Sequence, residues 1–326
     1  MDKFRVLVTS WAVEETNPDL DRLRAIGCEV VNERRPKHHS DAEMLELIPG
    51  VDAVLAASDL YTEAVFAVAD RLKIIARVGV GYDAVDLAAA TRHGVVVSTT
   101  PGANHEAVAD MAFGLILALA RYIPLHDRLI RAGQWTRYTG VDVNGKTLGI
   151  LGLGKIGKGM ARRARGFNMR VVAHDPFWDE AFAQANQVEH LSRDEVIAAA
   201  DFLTLHLPAS PDTYKIMNAE RLHRMKPTAF LINTARGTLI DEPALAQALQ
   251  EKWIAGAALD VFEHEPPWGS AILNAENTIF TPHVAGFSQV ANELMIRMAV
   301  DNVINVLTGK PPLDCVNPDV LAALSR

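Results

Sequence analysis

The sequence predicts an α/β protein of two doubly wound parallel-sheet lobes, Rossmann/flavodoxin-like in outline, with a cleft between them. Three observations point there. Short β-rich runs alternate with helical stretches over the first hundred residues, and a second alternating series begins at Lys146. A glycine-rich turn follows the first strand of the second series but not of the first. A length of 326 residues is enough for two ordinary domains.

In the first series, strands are expected at Arg5–Thr9, Glu29–Asn32, Ala53–Ala56, Lys73–Val78 and Val95–Ser98. Helical stretches lie between them at Asp19–Ile26, Asp41–Leu47, Glu63–Ala69 and Leu87–Arg92. A long apolar helix near Glu106–Arg121 then leads into the second series. Its Ala107–Ala120 segment is broken by Asp110 and is too short to span a bilayer of ~30 Å, so it is expected to be buried on several sides. Further strands are read at Thr147–Leu151, Arg170–Ala173, Phe202–Leu207, Ala229–Asn233, Ala255–Leu259 and Thr278–Thr281. Asp241-Glu242-Pro243 opens a helix over Ala244–Glu251, with a polar cap and a proline where a missing N–H costs least. A last helix runs from Gln289 to Leu307 and carries the chain back, and Pro311–Asp314 reads as extended. The expected division is therefore a discontinuous lobe, 1–100 plus 287–326, and a continuous one, 101–286.

Hydrophobic residues make up 49% and charged residues 22%, the mix of a globular protein. A formal net charge of -8 leaves no basic footprint for nucleic acid. The N-terminus reads directly as a strand, without a signal-type apolar stretch, and Cys28 and Cys315 have no metal-type spacing. A cytoplasmic protein with reduced thiols, no metal and no membrane or nucleic-acid partner is expected.

Thr147–Leu151 runs into Gly152-Leu153-Gly154-Lys155-Ile156-Gly157, a strand followed by G-x-G-x-x-G. Gly152 permits the tight turn, Gly154 lets backbone approach a pyrophosphate, and Gly157 lets helix and strand pack closely. The helix starting at Lys155 offers its N-terminus to the phosphates. Asp175 follows at close to the expected ~20-residue spacing, where a carboxylate accepts the ribose hydroxyls. Pro176, Phe177 and Trp178 supply no cation for a 2′-phosphate, so NAD is expected over NADP.

Three strand ends in the second series each present one reactive side chain: Arg236 after Ile232–Ala235, Glu265 after Leu259–His264, and His283 after Phe280–Pro282. At the carboxyl ends of parallel strands such residues converge on one ligand crevice. His283 suits acid–base work near neutral pH. Glu265 suits holding its ring and favouring the imidazolium. Arg236 suits gripping a carboxylate with its planar fork. A dinucleotide motif beside this set reads as a nicotinamide-dependent dehydrogenase acting on a small anionic 2-hydroxy or 2-keto acid.

These phrases, with Arg77–Asp83 and Pro101–Asn104, resemble the D-isomer-specific 2-hydroxyacid dehydrogenase family, and its phosphoglycerate dehydrogenase-like branch in particular. The resemblance implies substrate contacts from Arg77, Val78, Gly79, Asn104, Arg236 and His283, with the carboxylate held by Arg236 and by N–H groups near Val78 and Gly79. It also implies cofactor contacts from Thr204, His206, Pro208, Thr234 and Asp260, and a homodimer built around Ala107–Ala120 and the arm after it. Asn104 also reads as a helix cap, and Asp260 as a residue that orders its loop. The loop Leu55–Tyr61 lacks the basic residue that phosphoglycerate-specific members tend to carry. Hydroxypyruvate, glyoxylate and other small 2-keto acids therefore stand beside 3-phosphoglycerate. Two alternatives on the same fold are an NAD(H)-sensing binding protein similar to the C-terminal-binding-protein corepressors, and oxidation of an inorganic anion such as phosphite.

Overall fold

The computed structural model describes residues 3–35 and 37–324 and divides the chain into two compact units. Unit 1 comprises 1–104 and 288–326; unit 2 comprises 105–287.

Unit 1 carries a five-stranded sheet of β1 (Arg5–Val8), β2 (Glu29–Asn32), β3 (Ala53–Ala56), β4 (Ile74–Arg77) and β5 (Val96–Ser98). All pairings are parallel, in the order β2-β1-β3-β4-β5. Its helices are α1 (Pro18–Ala25), α2 (Asp41–Leu47), α3 (Glu63–Ala67) and α4 (Leu87–Arg92). Ser40 opens α2 with a reciprocal capping box to Glu43, and Asn17 and Asp86 cap α1 and α4. Strands β3, β4 and β5 are buried on both faces, which explains their unbroken apolar runs.

Unit 2 opens with α5 (His105–Ala120) and α6 (Ile123–Arg131). Seven parallel strands follow: β6 (Thr147–Leu151), β7 (Arg170–His174), β8 (Val188–His190), β9 (Phe202–Leu205), β10 (Phe230–Asn233), β11 (Gly256–Leu259) and β12 (Thr278–Phe280). Their order is β12-β11-β10-β9-β6-β7-β8, with the topological switch between β6 and β9. The remaining helices of the unit are α7 (Lys155–Gly166), α8 (Glu180–Asn186), α9 (Arg193–Ala199), α10 (Ala219–Arg224) and α11 (Glu242–Gln250). One face of the sheet (Ile150, Phe202, Phe230, Ile232) packs on α5 and α7, and the other (Leu151, Leu203, Leu231) on α9, α10 and α11. The apolar helix α5 is thus covered inside its own unit, and Asp110, which interrupts it, points out to pair with Arg163 at 2.6 Å. Back in unit 1, α12 (Gln289–Leu307) lies on β3 and β4, and α13 (Asp319–Leu324) on α4.

Every strand expected from the sequence is present, and β8 is an addition: three residues at a sheet edge with only Val188 buried. Helices α8, α9 and α10, six or seven residues each, are further additions to the sequence reading. The capping box Ser192–Glu195 is the local signal that marks α9. At α11 the sequence reading needs correction. Asp241 is the cap residue but makes no side-chain cap bond, and Glu242 turns inward to accept from Glu263 N–H (2.6 Å) and Ser270 Oγ (2.9 Å). Cys28 and Cys315 are free thiols, and no single described helix is long and apolar enough to cross a membrane.

Candidate active site

The glycine motif sits where β6 meets α7. Gly152 adopts φ +97°, and a Cβ there would come 2.4 Å from the His206 carbonyl oxygen. A Cβ on Gly157 would stand 2.1 Å from Gly152 O, so both glycines are required by close backbone approach. Gly154 differs: nothing lies within 4 Å of its would-be Cβ. It caps α7 with no side-chain bond, which leaves the N–H groups of Lys155, Ile156 and Gly157 at an open helix N-terminus. That is a cradle for a pyrophosphate.

Asp175 closes this loop from the end of β7. One carboxylate oxygen accepts Leu153 N–H at 2.6 Å and the other Phe177 N–H at 2.7 Å. Across the switch point Thr204 is fully buried, with its hydroxyl 2.9 Å from His206 Nε2. The Thr204 side chain therefore orients the imidazole. Burial pulls His206 down to about 3, so its ring is neutral. The His206 Nδ1 and Thr234 Oγ1 atoms are sealed from solvent without a hydrogen-bond partner among the described residues. Such orphan polar atoms at the carboxyl end of the sheet fit a polar ligand. Pro208 lies exposed beyond them. Open glycine, bare helix N-terminus and orphan atoms together fit a dinucleotide.

Arg236 follows β10 in extended conformation, with its carbonyl held by Asn233 Nδ2 at 2.8 Å. Gly237 lies so close to the next loop that a Cβ would fall 1.9 Å from the Phe262 carbonyl carbon. Phe262 N–H in turn donates to Glu265 Oε1 at 3.1 Å. The second Glu265 oxygen lies 2.8 Å from His283 Nδ1. His283 itself sits in left-handed backbone at φ +54°, and its side chain is 42% exposed, leaving Nε2 available for chemistry. Asp260, wholly buried, accepts Thr281 Oγ1 (2.5 Å), Val284 N–H (2.9 Å) and Ala285 N–H (2.8 Å). Its carbonyl takes His283 N–H at 2.8 Å. Burial raises the Asp260 carboxyl. Asp260 thus orders the loop that carries His283.

Four expected substrate contacts lie in unit 1. Asn104 is half-buried at its last residue before α5. Arg77 is buried, and its guanidinium donates to Gly81 O (2.9 Å), Ala56 O (3.4 Å) and Ser58 Oγ (3.1 Å), so it braces the loops around it. Val78 N–H donates to Ala56 O at 3.0 Å and is therefore committed to the sheet. The N–H groups of Gly79 and Val80 make no hydrogen bond among the described residues. Parallel pairing past the end of β4 consumed the first donor, a detail that strand assignment alone does not reveal. No group of three or more His, Cys, Asp or Glu among the described residues is arranged to hold a metal.

Residues 113–285 match the NAD binding domain of the D-isomer specific 2-hydroxyacid dehydrogenases. The chain belongs to that family. This dehydrogenase is 40% identical over 286 residues to a glyoxylate reductase of Korarchaeum cryptofilum, covering 85% of this chain and 86% of that one. It is also 40% identical to a D-3-phosphoglycerate dehydrogenase of Synechocystis, over 87% of this chain but only 53% of the longer relative. Among solved structures it is similar to an NADPH-dependent glyoxylate/hydroxypyruvate reductase of Sinorhizobium meliloti, crystallised with NADP and malonate. That likeness has a TM-score of 0.83 and 32% identity, over 97% of each chain. The dehydrogenase therefore performs nicotinamide-linked redox chemistry at C2 of a 2-hydroxy or 2-keto acid.

Proposed function

We propose that this enzyme is an NAD(H)-linked dehydrogenase of a small D-2-hydroxy acid, with Arg236, Glu265 and His283 as its catalytic set. The observation that carries this reading is the 2.8 Å contact between His283 Nδ1 and Glu265, a carboxylate anchored in turn by Phe262 N–H. Glu265 fixes the ring and stabilises the imidazolium. His283 Nε2 then gives a proton to the carbonyl oxygen as it becomes an alkoxide, and takes it back in the oxidative direction. Arg236 binds the substrate carboxylate and polarises the adjacent carbonyl. The bound nicotinamide supplies or accepts the hydride. Unit 2 is the cofactor domain and unit 1 the substrate domain, and glyoxylate, hydroxypyruvate and other small 2-keto acids are the substrate class. A cytoplasmic homodimer is the working form. Neither nucleotide sensing nor phosphite oxidation is favoured, because the relatives are named as reductases and dehydrogenases of 2-hydroxy acids.

Replacement of His283 by Ala is expected to lower kcat/KM for keto-acid reduction by roughly 10²–10⁴-fold with the NADH Kd nearly unchanged. Turnover that survives this change would remove the acid–base assignment. Asp175 supports NAD over NADP, because a 2′-phosphate beside its anchored carboxylate costs ~2–4 kcal/mol. Asp175→Ala should relax the NADH:NADPH preference in kcat/KM, and equal use of both coenzymes by the unaltered enzyme would defeat the argument.

A further inference from the structure

Glu242 is a buried carboxylate without a cation. Its residue is only 8% exposed, and no ion pair among the described residues reaches it. Lys215, the ammonium of this neighbourhood, goes to Asp241 and Glu263 instead, at 3.7 Å each. A place in the first turn of α11 gives partial compensation, because the helix macrodipole favours negative charge there. A charge taken inside on so little is unfavourable unless donors fill its lone pairs. Here they do: one oxygen accepts Glu263 N–H at 2.6 Å and the other Ser270 Oγ at 2.9 Å.

Those two donors stand at the two ends of the loop that carries Glu265. The loop leaves the buried pair Val261 and Phe262 and returns to the turn Ala271–Asn274, which is seated by the buried Ile272. Most residues between the ties are exposed, among them His264, Pro266, Trp268 and Gly269. The loop therefore has little packing of its own, and a single side chain of α11 closes it at both ends. Glu265 lies two residues beyond the first tie. Its carboxylate spans Phe262 N–H at 3.1 Å and His283 Nδ1 at 2.8 Å, a geometry that holds only while the backbone at 262–265 stays in place.

We propose that Glu242 is a positioning residue for the reaction: by holding both ends of 263–270 it keeps the Glu265 carboxylate in register with His283. The inference rests on the reading of Glu265 and His283 as the catalytic pair. It also explains why a carboxylate is taken inside at this position, since it supplies two acceptors at once, one for each end of the loop.

The test measures kcat, KM, NADH Kd and Tm for reduction of glyoxylate and hydroxypyruvate by the full-length enzyme carrying Glu242→Ala, Glu242→Asp or Glu242→Gln, each alone and combined with Glu265→Gln. Glu242→Ala should lower kcat by between about tenfold and 10²-fold, the scale of a small misplacement of reacting groups, with the NADH Kd nearly unchanged. Glu242→Gln keeps an acceptor for Glu263 N–H and should recover most of the loss. Glu242→Asp keeps the charge but falls one methylene short, so it should not recover it, and it takes the place of the alanine variant if that chain does not fold. In the Glu265→Gln background Glu242→Ala should add little further loss of kcat, because the group it positions is already gone. A lowered Tm with kcat intact, or the same factor lost in both backgrounds, overturns the positioning role while leaving the dehydrogenase reading in place. Glu265→Gln with an unchanged kcat, or no turnover of either acid by the unaltered enzyme, overturns the catalytic pair and the inference with it.

Discussion

At the scale of single residues, His206 shows how position outweighs residue type. Its Nε2 is held by Thr204 and its Nδ1 is sealed from solvent, and burial lowers it from 6.5 to about 3. The unfolded chain then takes up a proton before the folded one does. The contribution is at its full value above about pH 6.5 and is lost as pH falls towards about 3, at ~1.4 kcal/mol per unit. His206→Gln is therefore expected to reduce the stability lost between pH 7 and pH 5 by about 2 kcal/mol, as read by urea unfolding at each pH. An unchanged loss would mean that the ring is hydrated in the folded state. His283 is the opposite case, a histidine kept at the surface in left-handed backbone with one nitrogen on Glu265. From sequence both are a histidine at a strand end. Only the depth of burial separates them, one sealed inside the fold and the other at the surface.

At the scale of elements, the turn from β6 into α7 separates packing from binding within one motif. Gly157→Ala puts a methyl 2.1 Å from Gly152 O, whereas Gly154→Ala meets nothing within 4 Å. The first substitution should lower both thermal stability and NADH affinity. The second should leave Tm within a few degrees while weakening NADH by at least about tenfold, because its methyl occupies the approach of the pyrophosphate. Calorimetry paired with NADH titration distinguishes the two, and equal losses of Tm would refute the assignment of Gly154 to ligand approach. This motif was legible because spacing and strand context carry it. Loop 78–80 was legible only in part: Val78 N–H was expected to serve substrate, yet it is spent on Ala56 O, and the bare donors are Gly79 and Val80. Strand pairing one residue past the end of β4 decides that, and it leaves no trace in residue type.

At the scale of the whole molecule, α6 has no buried residue, and Ile123, Ile130, Trp135 and Tyr138 on and after it are all exposed. Apolar surface of this extent is expected to close against a second copy. Light scattering should give twice the chain mass, and Ile130→Asp should shift the enzyme towards monomer; a monomer for the unaltered chain would sink the dimer. The sequence by itself determined the α/β class, the parallel strands of both units and the dinucleotide turn, and it set Arg236, Glu265 and His283 just past strand ends. These rest on local signals: apolar periodicity, glycine spacing, and polar residues that end apolar runs. Tertiary structure alone decided which of the polar residues are buried and which reach solvent. Asp260, Arg77 and Thr204 are buried braces, Asp59 and His39 turn inward, and Leu60 and Val80 turn out. The physical reason is that burial and hydrogen-bond partnership are set by residues far away in the chain, so a side chain's protonation and availability belong to its surroundings in the fold.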